Sequence, residues 1–409
     1  MLKRIAVGQL VPGMYVDKVV GSWIDHPFWR SSFPVRTSAD VAKVRQAGIS
    51  EVWIDTARGL DIARVAVAAV PESIAPAPPP APAPSPALPP APPPRPDGKE
   101  IERARVIREQ AKQTVTSLFE QARLGRAVDP SSCMPLVDEI SDSLARDPGA
   151  FINLSRLKTQ DEYTYLHSVS VCALMVGLAR RLGLPAAQVR DIGLAGMMHD
   201  IGKALMPLDV LNKPDKLTAD EYAVMQTHPA RGVDLLRDGS GTSETVLDVC
   251  LHHHEKIDGS GYPEGLAGDR ISLVARMGAV CDVYDAITSN RPYKAGWDPA
   301  ESLRRMATWK GHFDPLVFQA FVKLVGIYPV GSLVRLKSQR LAVVSEQRAE
   351  SLLTPRVRVF YSIAARQRIA PVYVDLASAG CSDDIAGVES PQQWPNLPDL
   401  DALWLPPAA

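Results

Sequence analysis

At 409 residues, 46% of them apolar, the chain is long enough for two or three domains and a sizeable core. Its 45 Lys and Arg against 46 Asp and Glu leave a net charge of −1, which excludes the basic field that binding a long nucleic acid requires. The five cysteines, Cys133, Cys172, Cys250, Cys281 and Cys381, show no Cys-x-x-Cys spacing, so reduced, mostly buried thiols are expected and sulfur ligation of a metal is not.

Residues 1–70 read as a small α+β domain. Its start, Met1-Leu2-Lys3-Arg4-Ile5, lacks an apolar run of signal-peptide length, and no later stretch reaches the length of a membrane span, so a cytoplasmic protein is expected. Leu10-Val11-Pro12-Gly13-Met14-Tyr15-Val16 has a Pro-Gly turn between apolar runs, and Val52-Trp53-Ile54 reads as a short buried strand. Between them, Thr37 to Gly48 has helical character, with Ser38 as cap and Val41, Val44 and Ala47 at three-residue spacing. His26 reads as a structural or surface histidine. Residues 71–98 turn to Ala and Pro, a composition that forms few backbone hydrogen bonds and buries little, and reads as an extended linker.

From 99 to 327 almost every apolar run has helical spacing, beginning with the one-sided stripe Ile101, Val106, Ile107, Ala111, Val115, Leu118 and Phe119. Asp129-Pro130 and Asp147-Pro148-Gly149 punctuate the chain. Thr218-Ala219-Asp220-Glu221 has capping-box form, and Asp298-Pro299-Ala300-Glu301 combines a cap, a first-turn proline and a Glu. After Tyr328-Pro329-Val330-Gly331 the period changes. Residues 332–336, 341–344, 356–360 and 371–374 are short β-branched runs, so 328–379 reads as a small β appendix. The Pro- and Asp-rich segment 380–409 is expected to be poorly ordered, with Trp394 and Trp404 as docking anchors. The fold class is therefore mainly α, with a small α+β domain before the helices and a short sheet after them.

The chemistry concentrates in the helical part. His199 and Asp200 adjoin at the end of the apolar stretch 192–197, and six of the eight histidines fall between His167 and His254. Neighbours on a helix point about 100° apart, so both can reach one ion only at a seam between helices. His167, His199, Asp200, His228, His253, His254 and Asp282 form a nitrogen and oxygen donor set that suits divalent iron or manganese. Two ions are the natural count, with His167, His199 and Asp282 on one, His228, His253 and His254 on the other, and Asp200 bridging. A bridging carboxylate holds two cations roughly 3.5–4 Å apart, the separation that clamps an in-line phosphoryl displacement. The loop 256–265, with three glycines and a proline, brings Tyr262 and backbone donors up to a ligand. Arg291 and Lys294, just past the helix that carries Asp282, are placed to receive phosphate.

Across roughly residues 106–325 this arrangement resembles the HD-GYP subgroup of the HD phosphohydrolase superfamily. The match lies in His167-Ser168, His199-Asp200-Ile201-Gly202-Lys203, His228-Pro229, His253-His254-Glu255, Asp258-Gly259-Ser260-Gly261-Tyr262-Pro263, and Asp282 with Arg291-Pro292-Tyr293-Lys294. The segment with Val11-Pro12-Gly13-Met14-Tyr15-Val16 also resembles the domain of unknown function that precedes the catalytic unit in some members.

The resemblance implies a bacterial phosphodiesterase that hydrolyses the second messenger cyclic di-GMP to pGpG or GMP. Attack would come in line from a metal-bridging hydroxide, with Lys203 neutralising charge on the phosphate or leaving group. Gly261, Tyr262 and Pro263 would contact the base or sugar, and Arg291 and Lys294 the non-reacting phosphate. Members with three metals carry a glutamate one turn before the first ligand histidine. That position is Tyr163, with Glu162 off the face, so two metals are expected, while His252 has no counterpart in the motif. The resemblance also implies contact of the Gly-Tyr-Pro loop with diguanylate cyclase domains, and a homodimer is compatible with it. Two alternatives stay open: a cyclic di-GMP receptor with little turnover, and another nucleotide phosphohydrolase of the same superfamily.

Overall fold

The computed structural model describes residues 2–19, 33–35, 37–38, 41, 45, 51–60, 98–158, 163–213, 215–239, 241–289, 296–348, 351–394 and 396–405. The expected linker up to residue 97, His26 and most of the helix expected between Thr37 and Gly48 lie outside them. The chain divides into two units, residues 1–93 and residues 94–409.

The first unit contains an antiparallel sheet of β1 (Leu2–Ala6), β2 (Tyr15–Val19), β3 (Phe33–Pro34) and β4 (Glu51–Asp55) in the order β1-β4-β2-β3. β4 alternates half-buried and buried residues, so Val52 and Ile54 pack with Ile5, Leu10, Met14 and Val16 on one face. The Pro12-Gly13 turn needs its glycine, which sits at φ +96° while its N–H donates to the carbonyl of Val35.

The second unit begins with α1 (Gly98–Arg123), α2 (Met134–Arg146), α3 (Pro148–Ser155), α4 (Tyr163–Arg181) and α5 (Ala186–Met198). The short α6 (Leu208–Leu211) and α7 (Ala219–Met225) follow, then α8 (His228–Asp238), α9 (Glu244–His252), α10 (Leu273–Thr288), α11 (Pro299–Thr308) and α12 (Pro315–Val325). The caps act as their sequence suggests. Asp147 accepts from the N–H groups of Gly149 and Ala150, Asp298 from those of Ala300 and Glu301, and Thr218 forms a complete capping box with Glu221. In the α1 stripe, Val106 is the exception. It is 53% exposed, and Ala104 takes its place on the packed face, because a 3.6-residue period puts 104, not 106, in line with 101 and 107–108.

Helices α4 and α5 form the centre of this unit. Cys172, Ala173, Met175 and Val176 of α4 and Ala195 and Met197 of α5 are fully buried. Gly196 allows the close approach, since a Cβ there would lie 3.0 Å from the Cα of Cys172. Four of the five cysteines are buried and all five are free thiols.

The C-terminal residues form an antiparallel sheet of β5 (Leu333–Leu336), β6 (Arg340–Glu346), β7 (Arg356–Ser362), β8 (Gln367–Asp375) and β9 (Ile385–Val388), in the order β8-β7-β6-β5-β9. The fifth strand comes from the segment expected to be poorly ordered. β9 pairs with β5 through Val334↔Val388, and Trp404, 4% exposed, packs with Leu333, Val343 and Phe360 in the sheet's core. The strand is only four residues long, Ile-Ala-Gly-Val, and its Asp- and Pro-rich flanks hid it; it covers one edge, and two aromatic side chains add burial. Trp394 also packs against this core, so both tryptophans act as anchors within the chain.

Candidate metal centre

Five helices deliver the seven expected donors to one place. α5 is buried from Ile192 to Met198 and ends there, so His199 caps its C-terminus and Asp200 starts the 3-10 turn Ile201–Leu205. That turn lies against the first residue of α8, and a Cβ on Gly202 would sit 1.9 Å from the carbonyl oxygen of His228. Only glycine permits this contact. α9 stops at His252, which leaves His253 and His254 in the turn beyond it. α4 supplies His167 and α10 supplies Asp282.

Asp200 lies between two groups of histidines. Its Oδ1 is 3.3 Å from His228 Nε2 and 3.7 Å from His253 Nε2, while its Oδ2 is 3.5 Å from His167 Nε2 and 3.4 Å from His199 Nε2. Asp282 Oδ1 lies 3.0 Å from His167 Nε2 and 3.8 Å from His199 Nε2, and its Oδ2 is 3.8 Å from His254 Nδ1. Two sets have all their donor atoms within 4.8 Å of one another: Asp200, His228, His253 and His254, and His167, His199 and Asp282. Each carboxylate oxygen of Asp200 thus faces its own set.

The other ring nitrogens are engaged outside the centre, which aims the inner ones inward. His199 Nδ1 meets the carbonyl of Gly196 at 2.7 Å, His228 Nδ1 that of Met225 at 2.7 Å, and His253 Nδ1 that of Val249 at 3.0 Å. His167 Nδ1 meets the carboxylate of Asp285 at 2.7 Å, and Asp285 in turn accepts from Lys158 Nζ at 2.6 Å. Asp285 and Lys158 are wholly buried. Burial pushes the Lys158 ammonium down; burial would raise the Asp285 carboxyl, but Lys158 and His167 hold it below the usual range.

The charges inside the centre are unevenly divided between its two sides. Burial disfavours a charged His199, yet Asp200 and Asp282 push it up to about 10. Burial would also raise both carboxyls, but Lys203 and His199 at Asp200, and His167 and His199 at Asp282, hold them well below the carboxylate range. On the other side, burial and neighbouring imidazoles push His253 down, and burial brings His254 to about 3. His199 Nε2 and Asp200 Oδ1 are buried with no hydrogen-bond partner. Unpaired inner atoms, the neutral imidazoles of His253 and His254 and two ionised carboxylates fit divalent cations, and no cysteine belongs to either donor set.

The centre opens into a cavity of about 720 Å³ whose lining includes Lys203, Tyr262 and His312. Lys203 Nζ is 2.5 Å from Asp200 Oδ2. The Tyr262 ring stacks on His254 with centroids 4.6 Å apart, and burial pushes its phenol up. Gly261 does not line the cavity. A Cβ there would come within 2.5 Å of the Glu255 Cα and Lys256 N, so this glycine lets the loop lie on the backbone beyond His254. The exposed Pro263 does not line the cavity either. Buried Glu255 fixes the loop by accepting from the N–H groups of Glu264 and Leu266 at 2.8 and 3.0 Å. Arg291, Lys294, Glu162 and the side chain of Tyr163 lie outside the described residues. His252 turns from the centre to Asp248, 2.7 Å away.

Sequence reasoning missed several residues here. His312 and Tyr222, the latter 49% exposed and edge-on to Tyr262 at 6.5 Å, line the cavity. Nothing local in the sequence announces them. Asp285 was legible, because it follows Asp282 by three residues on one helix and so shares its face, whereas Lys158 was not.

A family model described as an HD domain matches residues 140–317, and one described as a domain of unknown function (DUF3391) matches residues 2–133. A cyclic di-GMP phosphodiesterase of Pseudomonas aeruginosa is 53% identical to this chain over 408 residues, which is 99% of this chain and 96% of that protein. A cyclic di-GMP phosphodiesterase response regulator of Xanthomonas campestris is 42% identical over 181 residues, 42% of this chain and 47% of its own length. A 3'3'-cGAMP-specific phosphodiesterase of Vibrio cholerae is 35% identical over 176 residues, 42% of this chain and 41% of its own length. With the helical fold and the histidine and aspartate cluster already in place, the chain belongs to the family of HD-domain proteins that includes the Pseudomonas aeruginosa enzyme.

Proposed function

We propose that this protein is a metal-dependent phosphodiesterase that hydrolyses cyclic di-GMP to pGpG or GMP. The observation that carries the reading is Asp200 between two donor sets, one carboxylate oxygen toward each. Identity of 53% along nearly the whole length of a cyclic di-GMP phosphodiesterase supports the substrate. His167, His199, Asp282 and Asp200 Oδ2 would hold one divalent ion, and His228, His253, His254 and Asp200 Oδ1 a second, with iron or manganese favoured by the nitrogen and oxygen donors. Two such ions supply Lewis-acid polarisation of the phosphoryl group and an acidified water.

The chain's own residues do the rest. Lys203, 22% exposed at its side chain, reaches from Asp200 to the cavity and neutralises charge on a phosphate oxygen or the leaving oxygen. The His254–Tyr262 stack gives a purine ring a flat surface, and Tyr222 a second aromatic edge. Gly261 and Pro263 shape that loop. Arg291 and Lys294 take the second phosphate. The exposed Pro263 leaves the loop open to a diguanylate cyclase domain, which a pull-down with Tyr262→Ala as control tests. No helix among the described residues is long and apolar enough to cross a membrane, and we assign the enzyme to the cytoplasm, where a second messenger is met. The sequence division at 70, 98, 327 and 379 is our proposed domain plan, with the last segment closing the sheet.

The decisive experiment is Asp200→Ala. Metal content by elemental analysis and turnover of cyclic di-GMP, with products separated by chromatography, should both fall to background while the helical circular dichroism is kept. Unchanged metal content and rate would overturn the reading.

A further inference from the structure

The wall of the metal-centre cavity carries two polar side chains that the metal ions and the scissile phosphate leave unused. Of the described lysines on it, Lys203 is held by Asp200 at 2.5 Å, whereas the Lys256 ammonium forms no hydrogen bond or ion pair among the described residues. Of the described histidines on it, His312 is the one outside both donor sets, and its ring nitrogens accept or donate no hydrogen bond among the described residues. His312 lies in the turn between α11 and α12, where packing holds its ring. It stacks on Phe313 with centroids 4.2 Å apart and on Trp309 at 5.5 Å.

The backbone brings these two residues together. Ile257 N–H donates to the His312 carbonyl at 3.3 Å, and Asp258 N–H to the Gly311 carbonyl at 2.9 Å. Gly311, at φ +74°, permits the crossing, since a Cβ there would lie 2.6 Å from the Asp258 carboxylate. Lys256 comes just before this pairing. Its ammonium is near enough to His312 to add to burial in pushing the imidazole below its ordinary value, which keeps the ring neutral at pH 7. Tyr262 folds back on the same stretch. Its N–H donates to the His254 carbonyl at 3.3 Å, and a Cβ on Gly261 would lie 2.5 Å from the Lys256 nitrogen. One loop and the turn strapped to it therefore gather the stacking ring, an ammonium and an imidazole on one cavity.

On the phosphodiesterase reading of this cavity, on which the inference rests, we propose that Lys256 and His312 read the edge of a guanine stacked on Tyr262. They would thereby set a preference for guanine over adenine cyclic dinucleotides. An ammonium only donates, so it matches the O6 and N7 acceptors of guanine, whereas adenine presents an amino group in place of O6. A neutral imidazole can accept from the guanine N1–H or amino group on the same edge. A site built from such groups rejects the base that leaves them unpaired.

The test is calorimetric titration of the full, manganese-loaded chain with cyclic di-GMP and cyclic di-AMP, made in the Lys203→Ala background so that turnover is slow. Cyclic di-GMP should bind about a hundredfold tighter, roughly tenfold for each contact. Lys256→Met and His312→Phe keep the bulk of each side chain and remove its polar atoms. Each should cut the preference to about tenfold by weakening cyclic di-GMP, with the helical circular dichroism kept. No guanine preference before substitution, the full preference retained in either folded variant, or equal weakening toward both ligands would overturn the proposal. Hydrolysis by the parent chain is measured in parallel: its absence would sink the phosphodiesterase reading while the guanine preference stood.

Discussion

Replacing Asp285 by Asn keeps the side chain's shape and removes one buried charge. Lys158 and Asp285 are fully buried and 2.6 Å apart, so the substitution takes the carboxylate from an ammonium that water cannot reach. Breaking such a pair from one side costs about 3–5 kcal/mol, which for a unit of this size lowers the melting midpoint by about 5–10 °C. The same change weakens the anchor on His167 Nδ1, now 2.7 Å from a carboxylate, and the loss of such an outer partner costs about 10–100-fold in metal affinity. Adding Lys158→Met separates the two effects. K158M/D285N buries no unpaired charge, so stability should return to within about 1–2 kcal/mol of the parent, while metal affinity stays low because an amide anchors the imidazole weakly. Thermal melts with and without chelator, together with metal titration, read both quantities. Asp285→Asn with the parent's midpoint and metal affinity would refute the reasoning.

Gly202→Ala puts a Cβ 1.9 Å from the His228 carbonyl, so His228 must move from Asp200; metal content should fall at the second set while the sheet's tryptophan fluorescence is kept. Glu100→Gln tests pH dependence far from the centre. The Arg146 guanidinium, followed by Ser143 and Arg103, holds this buried carboxyl below its ordinary value near 4.5. A depressed carboxylate stabilises the fold above that value and loses its contribution as pH falls through the lowered one. The variant should therefore be less stable by about 1–2 kcal/mol at pH 7, with the gap closing below about pH 4 in paired melts. Trp404→Ala should cost about 3–5 kcal/mol, and a chain ending at Ala379 should lose the β5 edge partner and unfold at lower urea; an unchanged midpoint would return this segment to the surface.

The sequence by itself determined what depends on local pattern and on side-chain chemistry. Helical periodicity marked the bundle, the Asp and Thr caps fixed helix starts because a cap bonds only to the next two or three N–H groups, and β-branched alternation gave four strands of the last sheet. The grouping of His167, His199, Asp200, His228, His253, His254 and Asp282 was legible because imidazoles and carboxylates concentrate in this part of the chain, and the resemblance then ordered them. Tertiary structure decided what depends on surfaces meeting across distant chain. It brought Lys158 to Asp285 over 127 residues and strapped the His312 turn to the loop that carries Lys256 and Tyr262. It placed Tyr222 beside Tyr262 and made an edge strand of Ile385–Val388, an apolar run of only four residues between acidic and Pro-rich flanks. Local propensity acts over a few residues, but burial and charge pairing are set by whatever the packed helices place within a few ångströms.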